Sequence, residues 1–433
     1  MTTPHLDLPI DETSRARLAT DGLTLRIVDT SSPDDFRTWS DAVDRGFLGS
    51  SSPAEQTEQR RARVQDDRLV GVYDTTAAQP EQPVATTHCW PADLSLPGGR
   101  TRTAWAISGV TVSQTHRRRG IARAMIEAEL RTAVALGLPV AMLTVSESTI
   151  YPRFGFSPAA FARDLTISTR RVRWTGAETS GRVHHVTPEQ LRHVGHAIAD
   201  RTFRATPGDV ATPDASHLWL RRIGLGVGDD ESAKKLRLVR FDDQHGAPQG
   251  FAAFHLEEDA ADVTDHTLVV DTMVAATPEA YAALWRFVLE TDLVSTVKAH
   301  LRPVDEPLRW MIDDFRAVHV DERDHLWLRI LDVPAALTAR SYSVADHIVL
   351  RVDDPLGHAD GTFGVTTDES GGCTVAPNGD VPDATMTVNA LGSLLLGGVP
   401  ARTLVATGAV TGDAERLDRL FHSPVEPFLS TWF

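Results

Sequence analysis

The sequence predicts a mixed α/β (α+β) chain built in three successive regions. Three observations carry that reading. At 433 residues the chain exceeds what one hydrophobic core organises, and two to four domains are expected. A strand followed by a capped helix opens the chain near Leu23 and recurs after Thr166. From about Arg323 the pattern changes to short strands separated by turn residues.

Each element follows from local pattern. Leu23–Thr30 alternates apolar and polar residues, as a half-buried strand does, and runs into SSPDDF. There Ser32 is the expected N-cap, Pro33 the first helical residue, and Asp35 the third, placed to bond back. RLVGVYD and PVATTHCW read as two strands of a meander, and Thr103–Val112 as a third. After Gly120 a helix carries Arg123, Glu127 and Arg131 on one side and Ile126, Leu130 and Val134 on another, with Gly137 as its C-cap. Pro139–Ser146 is a nearly all-apolar buried strand. In the second region RVHHV leads into TPEQL, where Thr187 caps, Pro188 starts and Gln190 stands third. LRLVRFDD, GFAAFHLEE and HTLVVDTMVA follow as strands, and the last feeds TPEAYAALWRFVLE. In the third region HLWLRILDVPAALTAR, HIVLRVDD, GTFGVTT, CTVAP and ATMTVNA supply short strands, LGSLLLGG is a short helix or strand, and the chain ends SPVEPFLSTWF.

Bulk composition narrows the function classes. Hydrophobic residues make up 42% and charged residues 24%, as in an ordinary globular protein. A formal net charge of -16 disfavours nonspecific nucleic-acid binding and suits a cationic small-molecule partner. Cys89 and Cys373 are too far apart in sequence to suggest a zinc motif or a disulfide framework. Met1–Glu12 lacks a basic start and an apolar run, and no stretch approaches the ~18–20 apolar residues of a membrane helix. A cytoplasmic protein is the expectation.

The chemistry concentrates at one junction. His116–Met125 reads HRRRGIARAM, so three arginines stand where a helix begins and its dipole is already positive. Arg117-x-x-Gly120-x-Ala122 lies between a strand and a helix, and Gly120 permits a tight turn and close ligand approach. Free N–H groups at residues of about 118–123 would then face an anion such as pyrophosphate; a solvated basic patch is the alternative. The corresponding junction of the second region reads ATPEAY and has lost both the glycine and the arginines.

VTVSQTHRRRGIARAM followed by VSESTIYPRFGF resembles the acetyl-CoA site of GNAT N-acetyltransferases. The THRRRG core, the IYxRFGF segment, the WLRILDVPAAL segment and the terminal phenylalanine together resemble the enhanced intracellular survival (Eis) family. The resemblance implies two tandem GNAT folds followed by a sterol-carrier-protein-like α+β domain. We expect a catalytic GNAT domain over residues 1–165, a degenerate one over 166–322, and the third domain over 323–433. It implies acetyl-CoA as co-substrate and no metal. Carried over residue by residue, it implies main-chain contacts from Val110, Thr111 and Val112 to the pantetheine and thioester. Arg117, Arg118, Arg119, Gly120, Ile121, Ala122 and Arg123 would cradle the phosphates, and Ser146 and Glu147 would line the cofactor cleft. Tyr151 matches the family's proton donor, a role its ordinary pKa near 10 suits. A core tyrosine packed with Phe154 and Phe156 is the alternative reading of the same residue. The C-terminal carboxylate, here that of Phe433, matches the proton acceptor, and Phe428, Trp432 and Phe433 are apolar enough to dock the chain end.

The family acetylates amines of polycationic small molecules such as aminoglycosides, and some members act on lysine or polyamines; a hexameric homo-oligomer is also implied. No nucleic-acid or membrane partner is expected. Phe36, Trp39, Asp41 and Asp44 on the first capped helix are candidate pocket residues, with helix core as the other reading of the aromatics. Trp432 brings no acid next to the terminal residue. His193 and His196 share a helix face without a third ligand, Gly224–Gly228 reads as a connection, and Asp229–Glu231 and Asp313–Asp314 read as surface. A non-catalytic binding protein is the rival class. An intact R-x-x-G-x-A, Tyr151 and Phe433 together favour the enzyme.

Overall fold

A computed structural model of the chain describes residues 4–226, 234–258 and 265–433. Strands β1 (Leu23–Ile27), β2 (Arg68–Asp74), β3 (Ala85–Leu96), β4 (Arg100–Val112), β5 (Val140–Thr144) and β6 (Ser157–Ser168) come from the first half of the N-terminal 330 residues. The second half supplies β7 (Arg182–Val186), β8 (Arg237–Asp242), β9 (Pro248–Glu257), β10 (His266–Ala275), β11 (Val294–Arg302) and β12 (Val318–Ile330). All twelve join one sheet in the order β1-β2-β3-β4-β5-β12-β6-β11-β10-β9-β8-β7.

That order is an internal repeat. Each half forms an antiparallel four-strand meander, and its fourth strand pairs in parallel with the next: β4 with β5, β10 with β11. The halves interlock at the centre, because β12 inserts between β5 and β6, and β6 pairs with β11. Each half therefore borrows a strand from the other. The third region adds β13 (Asp346–Asp353), β14 (Gly361–Thr367), β15 (Cys373–Pro377), β16 (Ala384–Thr387) and β17 (Val410–Thr411) as a five-stranded sheet.

The helices in the first half are α1 (Pro4–Asp7), α2 (Glu12–Ala19), α3 (Pro33–Gly46), α4 (Ala54–Arg63) and α5 (Ile121–Ala135). The long helix α6 (Pro188–Ala205) opens the second half with the expected capping box: the Thr187 hydroxyl accepts from Gln190 N, and Thr187 N donates back to the Gln190 side chain. At α3 the box is incomplete. Ser32 caps Asp35 N as expected, but the Asp35 carboxylate turns away to take two bonds from Arg26, at 2.8 and 2.6 Å. It also accepts Asp29 N at 2.8 Å, while Ser32 N donates to Asp29 O instead. The segment LGSLLLGG lies on the helix Val388–Leu394 and its continuation.

The strand period of two sorts the core into faces. Cys89, Trp105, Ile107, Ala141 and Leu143 pack under α5 with Ile126, Leu130 and Ala133. Ala104, Ala106, Val140 and Met142 face the other way and merge with the core of the third region, around Leu391, Leu394 and Leu420. That second face also carries α3, whose Trp39 stacks edge-on against His88 of β3. Phe36 is fully buried, and Trp39 is buried with its indole donating to Val70 O at 3.0 Å. These two aromatics are helix core, and Asp44 is paired with Arg60, so the face expected to supply a pocket is largely spent on packing.

Candidate active site

The parallel ladder between β4 and β5 holds two pairs, Trp105–Ala141 and Ala106–Met142. Beyond them β4 continues alongside β3 to Val112, while β5 ends at Thr144. A bulge assists the divergence: Gly109 and Val110 of β4 stand opposite the single residue Thr87, between the pairs Thr86–Thr111 and His88–Ser108. The Thr86 hydroxyl braces the bulge by bonding Gly109 O at 2.8 Å and the Thr111 hydroxyl at 2.7 Å. Val110, Thr111 and Val112 thus lie on the stretch of β4 beyond its pairing with β5, where the two strands part as a wedge.

At the wide end of the wedge the chain turns into α5 through Arg117–Gly120. Arg118 has φ +67° and Gly120 φ +75°, two left-handed residues flanking Arg119. For arginine that conformation costs about 1–2 kcal/mol, so the turn is imposed by its surroundings. Ser32, Thr187 and Thr277 place hydroxyls over the starts of α3, α6 and the helix Pro278–Leu289, whereas Gly120 has no side chain with which to cap α5. The first N–H groups of α5, at Ile121, Ala122 and Arg123, are therefore open to an outside acceptor. The guanidinium groups of Arg117, Arg118 and Arg123 are exposed around this start. Arg119 is held back: it donates to Asp21 O at 2.9 Å and pairs with Asp74 at 3.7 Å. Asp74 also accepts from His116 at 3.0 Å, and the Thr76 hydroxyl followed by His116 keeps its carboxyl well below the usual range. Asp74 is thus one partner of the basic run, on a strand 42 residues before His116. The remaining positive charge and free N–H groups fit a pyrophosphate.

Ser146 and Glu147 follow β5 and are exposed at the edge of the wedge. Tyr151 opens a single tight turn, Tyr151–Phe154, on the α5 face of the sheet. Its ring meets Phe156 edge-on at 6.2 Å. Burial first, then the nearby Glu147 charge, pushes its pKa up to about 12, so the phenol keeps its proton at neutral pH. The ring lies in the core with Phe154 and Phe156, as one of the two readings of the sequence expects.

The chain end arrives on the opposite face. Phe428 N donates to Pro207 O at 2.9 Å, and Ser430 bonds the buried Asp209 through its N–H at 3.0 Å and its hydroxyl at 3.2 Å. Leu429 is fully buried. His325 of β12 contacts Thr431 O at 2.8 Å; since a carbonyl only accepts, Nε2 carries the hydrogen. Burial lowers the His325 pKa to about 4, so this imidazole is neutral at physiological pH. Trp432 packs on His325 at 5.1 Å, with the Arg323 guanidinium over its ring at 5.7 Å. The Phe433 ring stacks edge-on against Trp90 at 5.5 Å, and a terminal oxygen accepts the hydroxyl hydrogen of Thr144. The tail expected to dock therefore docks, and its carboxylate ends where β5 leaves β4.

Trp39, His88, Trp90 and Phe433 form a continuous aromatic row along the second face, with His88 bonded to Asp67 at 2.8 Å. His88 and Trp90 are not among the candidates named from the sequence. The alternation of His88 and Trp90 on β3 was the available signal. Thr144, Asp209 and His325 gave none, because their roles exist only once distant segments meet.

In the second half the parallel ladder between β10 and β11 likewise stops, after Val270–Ala299, and β10 carries a matching irregularity against β9 between Val270 and Thr272, but the gap beyond is filled from within. Arg302, at the end of β11, donates to Met273 O of β10 at 3.2 Å and pairs with Glu306 at 3.1 Å. Glu306 also receives Tyr281 at 2.5 Å and Trp285 at 3.0 Å. A buried internal ion pair thus takes up backbone that an entering ligand would need.

The remaining candidates resolve as structural. His193 pairs with Asp214, and His196 bonds Thr212 O and stacks on Trp219. Asp313 and Asp314 hold the turn near Arg171 and Arg173. Gly224–Gly228 runs partly, and Asp229–Glu231 wholly, outside the described residues. Cys89 is fully buried, and burial raises its thiol pKa, so it is no nucleophile. Among the described residues no group of three or more His, Cys, Asp or Glu is placed to hold a metal, and no helix is long and apolar enough to cross a membrane.

A bulged, splayed parallel strand pair with an uncapped helix start at its mouth defines a GNAT-type acetyltransferase, a class that uses acetyl-CoA. Family models agree: acetyltransferase (GNAT) domains match residues 28–159 and 215–330, and a sterol carrier protein domain matches residues 333–430. The chain is 31% identical to an uncharacterised N-acetyltransferase of Streptomyces coelicolor over 92% of this chain and 98% of that one. It is 34% identical to N-acetyltransferase Eis of Mycobacterium tuberculosis, over 77% of this chain and 81% of that one. The crystal structure of Eis1 from Mycobacterium abscessus superposes with a TM-score of 0.79 at 28% identity, covering 95% of this chain and 100% of that one. A GCN5-related N-acetyltransferase from Anabaena variabilis, at 18% identity, shares the fold with a TM-score of 0.80 over 94% of this chain and 100% of that one. The chain belongs to the Eis family of N-acetyltransferases.

Proposed function

We propose that this chain transfers acetyl from acetyl-CoA directly to an amine of a polycationic small molecule, such as an aminoglycoside, within a ternary complex. One observation supports the reading: the terminal oxygen of Phe433 docks on Thr144, where β5 ends, on the face of the sheet opposite the buried, protonated Tyr151. Backbone groups of Val110–Val112 would pair the pantetheine. Arg117–Arg123, with the open start of α5, would hold the phosphates, and Ser146 and Glu147 would border the cleft. When bound, acetyl-CoA supplies an acetyl group activated as a thioester.

The chain's own residues then handle two protons. The Phe433 carboxylate accepts one from the attacking ammonium group, directly or through a water, as the nitrogen becomes nucleophilic. Tyr151 gives its phenolic proton to the departing sulfur. Trp90, and His88 oriented by Asp67, border the amine's approach on the Phe433 face and offer π and polar contacts suited to a cation. The surplus of 59 acidic over 43 basic residues favours encounter with polycations.

We further assign residues 1–165 to the catalytic domain, 166–322 to its inert copy, and 323–433 to the domain that delivers the C-terminus. We place the protein in the cytoplasm as a hexamer, which light scattering of the purified enzyme checks. The function is tested by thiol release from acetyl-CoA against aminoglycosides, polyamines and lysine peptides. Turnover highest with aminoglycosides supports the proposal. Preference for polyamines or peptides reassigns the substrate, and acetyl-CoA binding without turnover on any amine refutes catalysis.

A further inference from the structure

Resting on the assignment of Tyr151 as the proton donor, we infer that Asn389 of the C-terminal domain is a positioning residue for it. Tyr151 sits at the first position of the turn Tyr151–Phe154, and no side chain caps that turn from within its own domain. Its geometry is closed from outside. The Asn389 side-chain amide donates to Pro152 O, within the turn, at 2.9 Å and to Phe156 O, two residues past its end, at 2.8 Å. Both partners only accept, so the NH2 end must face them, and of the short side chains only asparagine's offers two donors there.

Asn389 is itself held in place. It is the second residue of the helix Val388–Leu394, whose start is capped by the Thr387 hydroxyl on Ala390 N. Ser393, one turn on, bonds Ser157 at 2.6 Å just beyond the turn. From below, the fully buried Arg329 lies so close to Gly155 that a Cβ there would fall 2.6 Å from its Nε. Arg329 is fixed in turn by Asp354 of the third region, at 2.8 and 2.7 Å. The phenol's backbone is thus clamped between two elements anchored in the C-terminal domain. A displacement of about 1 Å at a reacting group lowers rates as much as a hundredfold.

The test is a double-mutant cycle with Tyr151→Phe, Asn389→Ala and the combination, alongside Asn389→Asp. The expected result is a kcat lower by about tenfold or more in Asn389→Ala, with the KM for acetyl-CoA within about twofold. Asn389→Asp should lose more at neutral pH, because a carboxylate repels both carbonyls. The double variant should be no slower than Tyr151→Phe alone, since Asn389 acts through that phenol. Multiplying effects, or wild-type kcat in both Asn389 variants beside a slow Tyr151→Phe, overturn the Asn389 assignment alone. Wild-type turnover in Tyr151→Phe overturns the acid assignment and this inference with it. Should Asn389→Ala fold poorly, Asn389→Ser, which keeps one donor, should give an intermediate kcat; a wild-type value there counts against the inference.

Discussion

Thr144, the last residue of β5, donates its hydroxyl hydrogen to a terminal oxygen of Phe433, 289 residues further along the chain. The contact ties the end of the polypeptide to the point where the sheet opens. Thr144→Val keeps the shape and removes the donor. It should lower kcat by about tenfold, leave acetyl-CoA affinity unchanged, and speed removal of Phe433 by a carboxypeptidase. Unchanged kcat and unchanged digestion would show the bond does not hold the tail.

Tyr151→Phe removes the proton while keeping the ring against Phe156. With loss of a general acid, kcat should fall between about a hundredfold and ten-thousandfold, with little change in thermal stability. A poor leaving thiolate depends most on that proton, so an acetyl donor with a more acidic thiol should recover part of the rate. Wild-type turnover would remove Tyr151 from the chemistry.

Gly120 occupies a left-handed conformation, and a Cβ there would fall 3.2 Å from an Arg17 side-chain nitrogen. Gly120→Leu should therefore raise the acetyl-CoA dissociation constant by about tenfold, consistent with roughly 1–2 kcal/mol of backbone strain. At saturating cofactor kcat should stay near the parent value. Calorimetric titration with acetyl-CoA reads the change, and unaltered affinity would exclude this turn as the phosphate cradle.

His325 holds Thr431 as a neutral imidazole with a pKa near 4, against an ordinary value of 6.5. The unfolded chain binds more protons than the folded one between those values, so stability falls as pH drops from about 6.5 towards 4. The span is on the order of 3 kcal/mol. The slope of Tm against pH over that interval should be shallower in His325→Phe than in the parent protein. Equal slopes would place the acid sensitivity elsewhere.

Much of this architecture is written locally. The β4 strand, the turn at Gly120 and α5 follow one another within 36 residues, and each has its own pattern in side-chain period and glycine placement. The capping box at Thr187 was equally legible, because both partners lie within four residues. The strand exchange between β6 and β12 was not: long-range pairing leaves no mark on either strand's alternation. The arginine run raised the right electrostatic question, yet its internal partner Asp74 sits on another strand and was invisible. Phe36 and Trp39 show the opposite limit, since an aromatic at helical spacing reads the same whether it faces core or ligand.

Whether the C-terminal carboxylate of Phe433 accepts the proton is decided by a one-residue extension. A glycine after Phe433 turns the carboxylate beside Thr144 into a peptide amide without altering any side chain. With Phe433 as the acceptor, kcat should fall by about a hundredfold or more, with acetyl-CoA affinity within about twofold of the parent. A kcat equal to that of the unextended protein would contradict it.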